Sequence, residues 1–362
     1  MTVAVVNVAG MTTKQPEFSL NRPGALIAAL PAILGFVPEK SLVLVAVDRG
    51  ELGSVLRVDL SEELTDNVGH LAEVAAAAAP AAAIAVIVDS AGAHCPVCND
   101  QHRRLIDTLS EELARNNIEL LNAHVVDEVA HGGRWHCVDS CGAGGSVDDP
   151  EASPLAAAAV LEGRRLYTRR ADLQAVIAPD DAARSAAVAA VIDDCAADRA
   201  AAAQCDAREQ ARRDVEQVLA AVVAVDAGRA PTDKELARLG SSLTDVMVRD
   251  TLCALAISEH AAAAETLWSA LARGLPEPWR AEALVLLAFS AYARGDGPLA
   301  GVSLEDALRC VPRHRMAGLL DTALQSGLRP DRIRGLADTG YRLARQLGVQ
   351  LPGRRGLGQR AG

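Results

Sequence analysis

Ala83-Ile84-Ala85-Val86-Ile87-Val88-Asp89 decides how this chain is read. The run is short, apolar and partly β-branched, which is the pattern of a strand buried on both faces of a sheet. A loop over residues 90–99 follows. The spacing of Leu105, Ile106, Leu109 and Leu113 then predicts a helix over 100–116. Residues 119–129 read as the next strand. Strand, helix and strand in this order predict a parallel pair joined by a right-handed crossover. Gly132-Gly133 turns the chain, and residues 134–138 form the antiparallel return.

Upstream, residues 22–34 have helical spacing, with Pro23 in the first turn and Gly35 and Pro38 ending the helix. Residues 41–47 and 53–60 read as a hairpin about Asp48-Arg49-Gly50. Ser61 reads as the cap of a helix that places Leu64, Val68, Leu71 and Val74 on one face. The order α, β, β, α, β, α, β, β predicts a mixed-sheet α/β sandwich over 18–150, behind a flexible leader at 1–17. The loop at 141–154 marks the boundary. Beyond it helices run over 154–163 and 179–227 and nothing reads as a strand, so 151–350 is expected to be all-α. Residues 351–362 read as a flexible tail. The mixed charges from Asp193 to Glu216 read as a solvated helix face.

Within the helical half, residues 281–312 fit a tetratricopeptide-like repeat. Leu284, Leu287 and Ala288 mark the first helix, Gly295-Asp296-Gly297 the turn, Ala300, Leu304 and Ala307 the second helix, and Pro312 the stop. A weaker copy precedes it and a third could begin at Arg313, giving a repeat region at about 247–326. Such repeats present a concave surface to a protein or peptide partner.

The chain has 362 residues, enough for two domains. Half of it is hydrophobic while aromatics make up 2%, the Ala-rich balance of a high-GC genome. Acidic residues outnumber basic ones 47 to 36, for a net charge of −11 that opposes nucleic acid binding. No secretory signal is visible. The most apolar stretch, residues 74–88, is too short to span a bilayer and contains Pro80. These features predict a cytoplasmic protein without a membrane partner, whose eight cysteines stay reduced.

His94-Cys95-Pro96-Val97-Cys98, followed by His102, is the most informative local pattern. His136-Cys137 and Cys141 form a second cluster. Thiolates and imidazoles at these spacings suit a structural Zn²⁺ held by ligands from Cys95, Cys98, His102, Cys137 and Cys141. Cys137 lies about 13 Å back down the return strand, at ~3.3 Å per residue. Both pairs therefore meet only if the 90–99 loop folds over the sheet edge, and one donor from the second cluster is the easier arrangement. Two other readings stay open: reduced thiols with no shared role, and a redox C-P-V-C dithiol at a helix N-terminus. No phosphate loop, nucleophile elbow or H-E-x-x-H motif is present, and no catalytic residue is assigned.

Residues 30–38 (Leu30-Pro31-Ala32-Ile33-Leu34-Gly35-Phe36-Val37-Pro38), Ser41-Leu42-Val43, Arg57-Val58-Asp59-Leu60, Gly133-Arg134-Trp135 and Glu162-Gly163-Arg164-Arg165-Leu166-Tyr167 together resemble the actinobacterial family of domain of unknown function 4192. The resemblance spans about residues 18–330. It implies a shared fold and an actinobacterial source, and no activity. In that family the Trp-containing strand usually runs into a Cys-rich loop, whereas the loop at 141–154 holds one cysteine. The C-P-V-C loop looks like an addition to the common pattern.

Three functional expectations follow. The first is a regulatory protein that binds a protein or peptide partner and is zinc-stabilised. The second is an enzyme for a small anionic ligand, with Arg57, Arg134 and the strand-end carboxylates Asp48, Asp59, Asp89 and Asp127 converging. The third is a C-x-x-C redox protein.

Overall fold

The computed structural model describes residues 4–7, 22–48, 51–77, 79–161, 166–326 and 328–355. The chain divides into two compact units, residues 1–173 with 322–329 and residues 174–321 with 330–362.

The first unit contains every strand among the described residues. In chain order its elements are β1 (Ala4–Asn7), α1 (Pro23–Leu34), β2 (Ser41–Asp48), β3 (Glu51–Asp59), α2 (Val68–Ala76), β4 (Ala82–Val88), α3 (Pro96–Arg115), β5 (Glu119–Val126), β6 (Arg134–Cys137), β7 (Gly144–Ser146), α4 (Pro154–Leu161) and α5 (Arg170–Gln174). The sheet order is β1-β3-β2-β4-β5-β6-β7. Only β4 and β5 pair in parallel; the other pairings are antiparallel. The mixed sheet read from the sequence is therefore present, with β4 at its centre and buried along its whole length.

Strand alternation gives the sheet two apolar faces. Leu42, Leu44, Leu56, Val58, Ala85, Ile87 and Val125 pack with Leu71 of α2 and with Leu105, Ile106, Leu109 and Leu113 of α3. Val43, Val45, Val55, Val86 and Val88 face the other way and are also buried. Arg57, opposite Val43 in register, lies over the Phe36 ring just beyond α1. The α1 helix is itself apolar and almost wholly buried.

Several boundaries differ from the sequence reading. Residues 4–7, assigned to the loose leader, pair with β3; residues 8–21 lie outside the described residues. Ser61 makes no side-chain cap, and a 3-10 turn at Glu62–Asn67 precedes α2. The α3 helix starts at Pro96, four residues early, because proline's fixed φ suits the first helical position. The loop after β6 contains the unforeseen β7, which pairs with it. The turn at 49–50, residues 162–165 of the family pattern and the tail from 356 lie outside the described residues.

The second unit's described elements are helices. They are α6 (Ala182–Cys205), α7 (Ala207–Asp226), α8 (Asp233–Leu243), α9 (Val246–Leu252), a 3-10 turn at Cys253–Ile257, α10 (Ala261–Gly274), α11 (Arg280–Arg294) and α12 (Gly297–Cys310). The sequence continues through α13 (Arg315–Gln325), which carries the boundary at 321, and α14 (Pro330–Leu347). The helix read over 179–227 is broken at Asp206, whose extended backbone ends α6 and whose carboxylate caps α7. The charge run is not wholly solvated. Arg199 bridges buried Asp214 at 2.7 Å and Asp245 at 2.8 Å, and so ties α6 to α7 and to the start of α9. Fully buried Arg280 binds Asp306 and the carbonyls of Ala272 and Ile177. Arg249 and His314 both bind Glu282, whose carboxyl is pushed up by burial and pulled further down by these two partners. Before the tail leaves the described residues, Arg355 donates to Ile257 O and Glu259 to Gly353 O.

Packing of α14 yields a paired test. A Cβ on Gly340 would stand 2.6 Å from Thr251 O and 2.9 Å from Ala254 N, both backbone atoms. Gly335, in the same helix, faces open space. Gly340→Ala is expected to destabilise the protein by about 1–3 kcal/mol. Gly335→Ala should stabilise it by about 0.5–1 kcal/mol. Thermal unfolding of the two variants reads the opposite signs.

Candidate functional site

The parallel pair collects polar groups at one end of the sheet. In register, Asp59 stands opposite Ser41, Ser41 opposite Val88, Val88 opposite Val126, and Val126 opposite Trp135. Asp59, Asp89, Asp127 and Arg134 therefore share that end, while Asp48 closes the hairpin at the other. Arg57 and Arg134 do not converge, because β2, β4 and β5 separate their strands by about 19 Å at ~4.8 Å per strand. Arg57 is instead held by Asp59 at 2.6 Å and by Ser41 Oγ at 2.8 Å.

The loop after β4 is built by its backbone. Asp89 N donates to Val126 O, Ala93 N to Asp89 O, and Cys95 N to Gly92 O. A Cβ on Gly92 would stand 2.0 Å from Asp89 Oδ2 and 3.1 Å from Cys98 Cβ, so any larger residue there displaces the Asp89 carboxylate. The Asp89 carboxylate and the Cys98 side chain thus approach one point. His102, one turn beyond Cys98 and buried, places Nε2 3.2 Å from Asp89 Oδ2. Burial pushes the His102 pKa down and Asp89 opposes that shift. His94 Nε2 lies 3.3 Å from Asp127 Oδ2. Ala93 O accepts from Asn99 Nδ2 at 3.1 Å and faces His136 Nε2 at 3.0 Å, which fastens the loop to β6.

The sequence-predicted ligands fall into two pairs. Cys95 precedes α3 and Cys98 lies in its first turn, both half-buried. The Cys95 sulfur makes no conventional cap bond. The Cys98 amide, the Cys98 thiol and the Val97 amide nevertheless lower its pKa, in that order of effect, and the Cys98 pKa is raised by the Cys95 thiol and by burial. Cys137 ends β6 and Cys141 lies in the turn to β7. Here Cys141 is lowered, first by the Ala143 amide and then by Cys137, while burial raises Cys137.

The two pairs lie on separate segments, Cys95 and Cys98 at the start of α3 and Cys137 and Cys141 about the turn after β6. His136 reaches toward the α3 loop, and the adjacent Cys137 belongs to the opposite face of β6. His102 Nε2 is occupied by Asp89. Among the described residues, no three His, Cys, Asp or Glu side chains stand in a metal-holding arrangement. Of the residues that surround the dithiol, Asn99 carried no sequence signal, because its role is a single bond to a loop carbonyl.

A mixed sheet with many helices makes this a mixed α/β protein. Residues 23–331 match the family described as Domain of unknown function (DUF4192), and the chain belongs to that family. No curated protein and no solved structure matches it. Among the described residues, no helix is long and apolar enough to cross a membrane.

Two measurements follow from the site. Cys253 is pushed up to about 12 and Cys310 to about 11 by burial. Alkylation of the native protein at pH 7–8 should modify Cys95 and Cys141 ahead of Cys98 and Cys137, with Cys253 last, as peptide mapping will read. His124, buried beside Trp135, is pushed down to about 4. The unfolded imidazole binds its proton near pH 6.5, so between ~6.5 and ~4 the unfolded state holds more protons and stability falls as pH falls. Between pH 7 and pH 4.5, His124→Gln should lose about 2 kcal/mol less unfolding free energy than the parent in denaturant titrations.

Proposed function

We propose that Cys95 and Cys98 are a redox-active dithiol and that the first unit exchanges thiols with a protein disulfide. The observation that carries this reading is the placement of Cys95 at the N-terminus of a 20-residue helix, with Cys98 one turn on. Val97, between them, is 67% exposed and offers an apolar contact beside the sulfurs. The Cys95 thiolate attacks one sulfur of the partner disulfide and expels the other as a thiolate. Cys98 then loses its proton and attacks Cys95 Sγ, releasing the second partner sulfur. Two thiols of this chain become a disulfide while one partner disulfide becomes two thiols. A reducing cytoplasm suits the dithiol as the resting form.

The test uses the full chain with a disulfide-bonded peptide as probe. Cys98→Ser should accumulate a mixed disulfide at Cys95, and Cys95→Ser should accumulate none. Failure of Cys98→Ser to trap the peptide overturns the reading. So does about one zinc per chain that shields both thiols until a chelator is added.

A second reading concerns the helical unit, and we propose a tetratricopeptide-like, partner-binding role for about 247–326. It is supported by α11 and α12, which pack through fully buried Ala288, Ala300 and Ala307 about the Gly295 turn. A groove of about 570 Å³ at one edge of this region, lined by Ala207, Arg208, Ala211, Asp245, Met247, Gln346 and Leu347, mixes apolar and charged surface. Packing of α14 against α9 makes the arrangement more closed than a simple stack of repeats.

A further inference from the structure

We infer that Cys137 and Cys141 form a second redox site, a turn dithiol that closes reversibly to a disulfide when it meets a small disulfide. The backbone brings the two residues together. Cys137 N donates to Ala143 O at 2.9 Å, and Ser140 N donates to Cys137 O at 3.3 Å. Ser140 and Gly142 take left-handed φ values of 54° and 85°, so the chain doubles back sharply on either side of Cys141. Pairing of His136 with Gly144 fixes both ends of this turn. Its middle is anchored as well, because Arg103 of α3 donates to Ser140 Oγ at 3.0 Å. The turn therefore holds the cysteines near each other before any bond forms, as disulfide closure requires.

The two thiols differ in the way a dithiol needs. Cys141 is exposed and Cys137 is half-buried. A disulfide in solution therefore reaches Cys141 first. Cys141 is the attacking sulfur. Its thiolate displaces one thiolate from a small disulfide and leaves a mixed disulfide on Cys141. Cys137 gives its proton to solvent and attacks Cys141 Sγ, which expels the second small thiolate. The chain loses two hydrogens and the small disulfide gains them. This site shares no residue with the Cys95–Cys98 dithiol.

The experiment uses the full chain carrying Cys95→Ser and Cys98→Ser, with oxidised glutathione as probe. The expected result is a loss of two alkylatable thiols, a peptide linking Cys137 to Cys141, and no retained glutathione. Adding Cys137→Ser should leave glutathione bound at Cys141. Three outcomes overturn the inference: glutathione that persists on Cys141 while Cys137 is present, two thiols that stay free, or a metal that shields both. Because the first dithiol is absent from this chain, the result is independent of peptide trapping at Cys95.

Discussion

Parallel pairing of β4 with β5 is the constraint from which the rest of the first unit follows. Parallel neighbours cannot be joined by a tight turn, so the chain must return over a face of the sheet, and α3 makes that return. Its apolar stripe covers Ala85, Ile87 and Val125. Truncating a residue as buried as Leu109 or Leu113 costs about 2–5 kcal/mol. The crossover also places the start of α3 at the carboxyl end of β4. Amide groups left unpaired at a helix start are directed there, and that end of the sheet already carries Asp89 and Asp127.

The polar groups gathered there are arranged by short-range contacts. Ala93 O joins the loop, α3 and β6 through Asn99 and His136, and Asp89 holds His102. These bonds give His102 and His136 oxygen partners, the Asp89 carboxylate and the Ala93 carbonyl. The helical unit follows the complementary rule that a buried charge must be paired. Arg199, Arg249 and Arg280 each meet carboxylates from other helices, and they join segments that carry few aromatics to fill space.

Much of the fold was legible because periodicity is local. The run at 83–89, the stripe from Leu105 to Leu113 and the hairpin at 41–60 read correctly because each element's burial pattern is written along its own residues. The starts and ends were harder. Pro96 opens the helix inside what reads as a loop, and Asp206 breaks what reads as one helix, because caps depend on one residue's backbone and not on a repeat. β1 and β7 are three or four residues long and are defined only by their partners.

The site shows the same division. Spacing along the chain is enough to show two cysteine pairs, Cys98 and His102 on one helix face, and carboxylates after the apolar strands. Which of these groups meet is a property of the folded chain. Ligand spacing along a chain measures reach, whereas convergence depends on which face of β6 carries each side chain and on which oxygen already faces each imidazole. His136 and Cys137 are adjacent in sequence and belong to opposite faces of the strand, because successive residues of a pleated strand alternate sides.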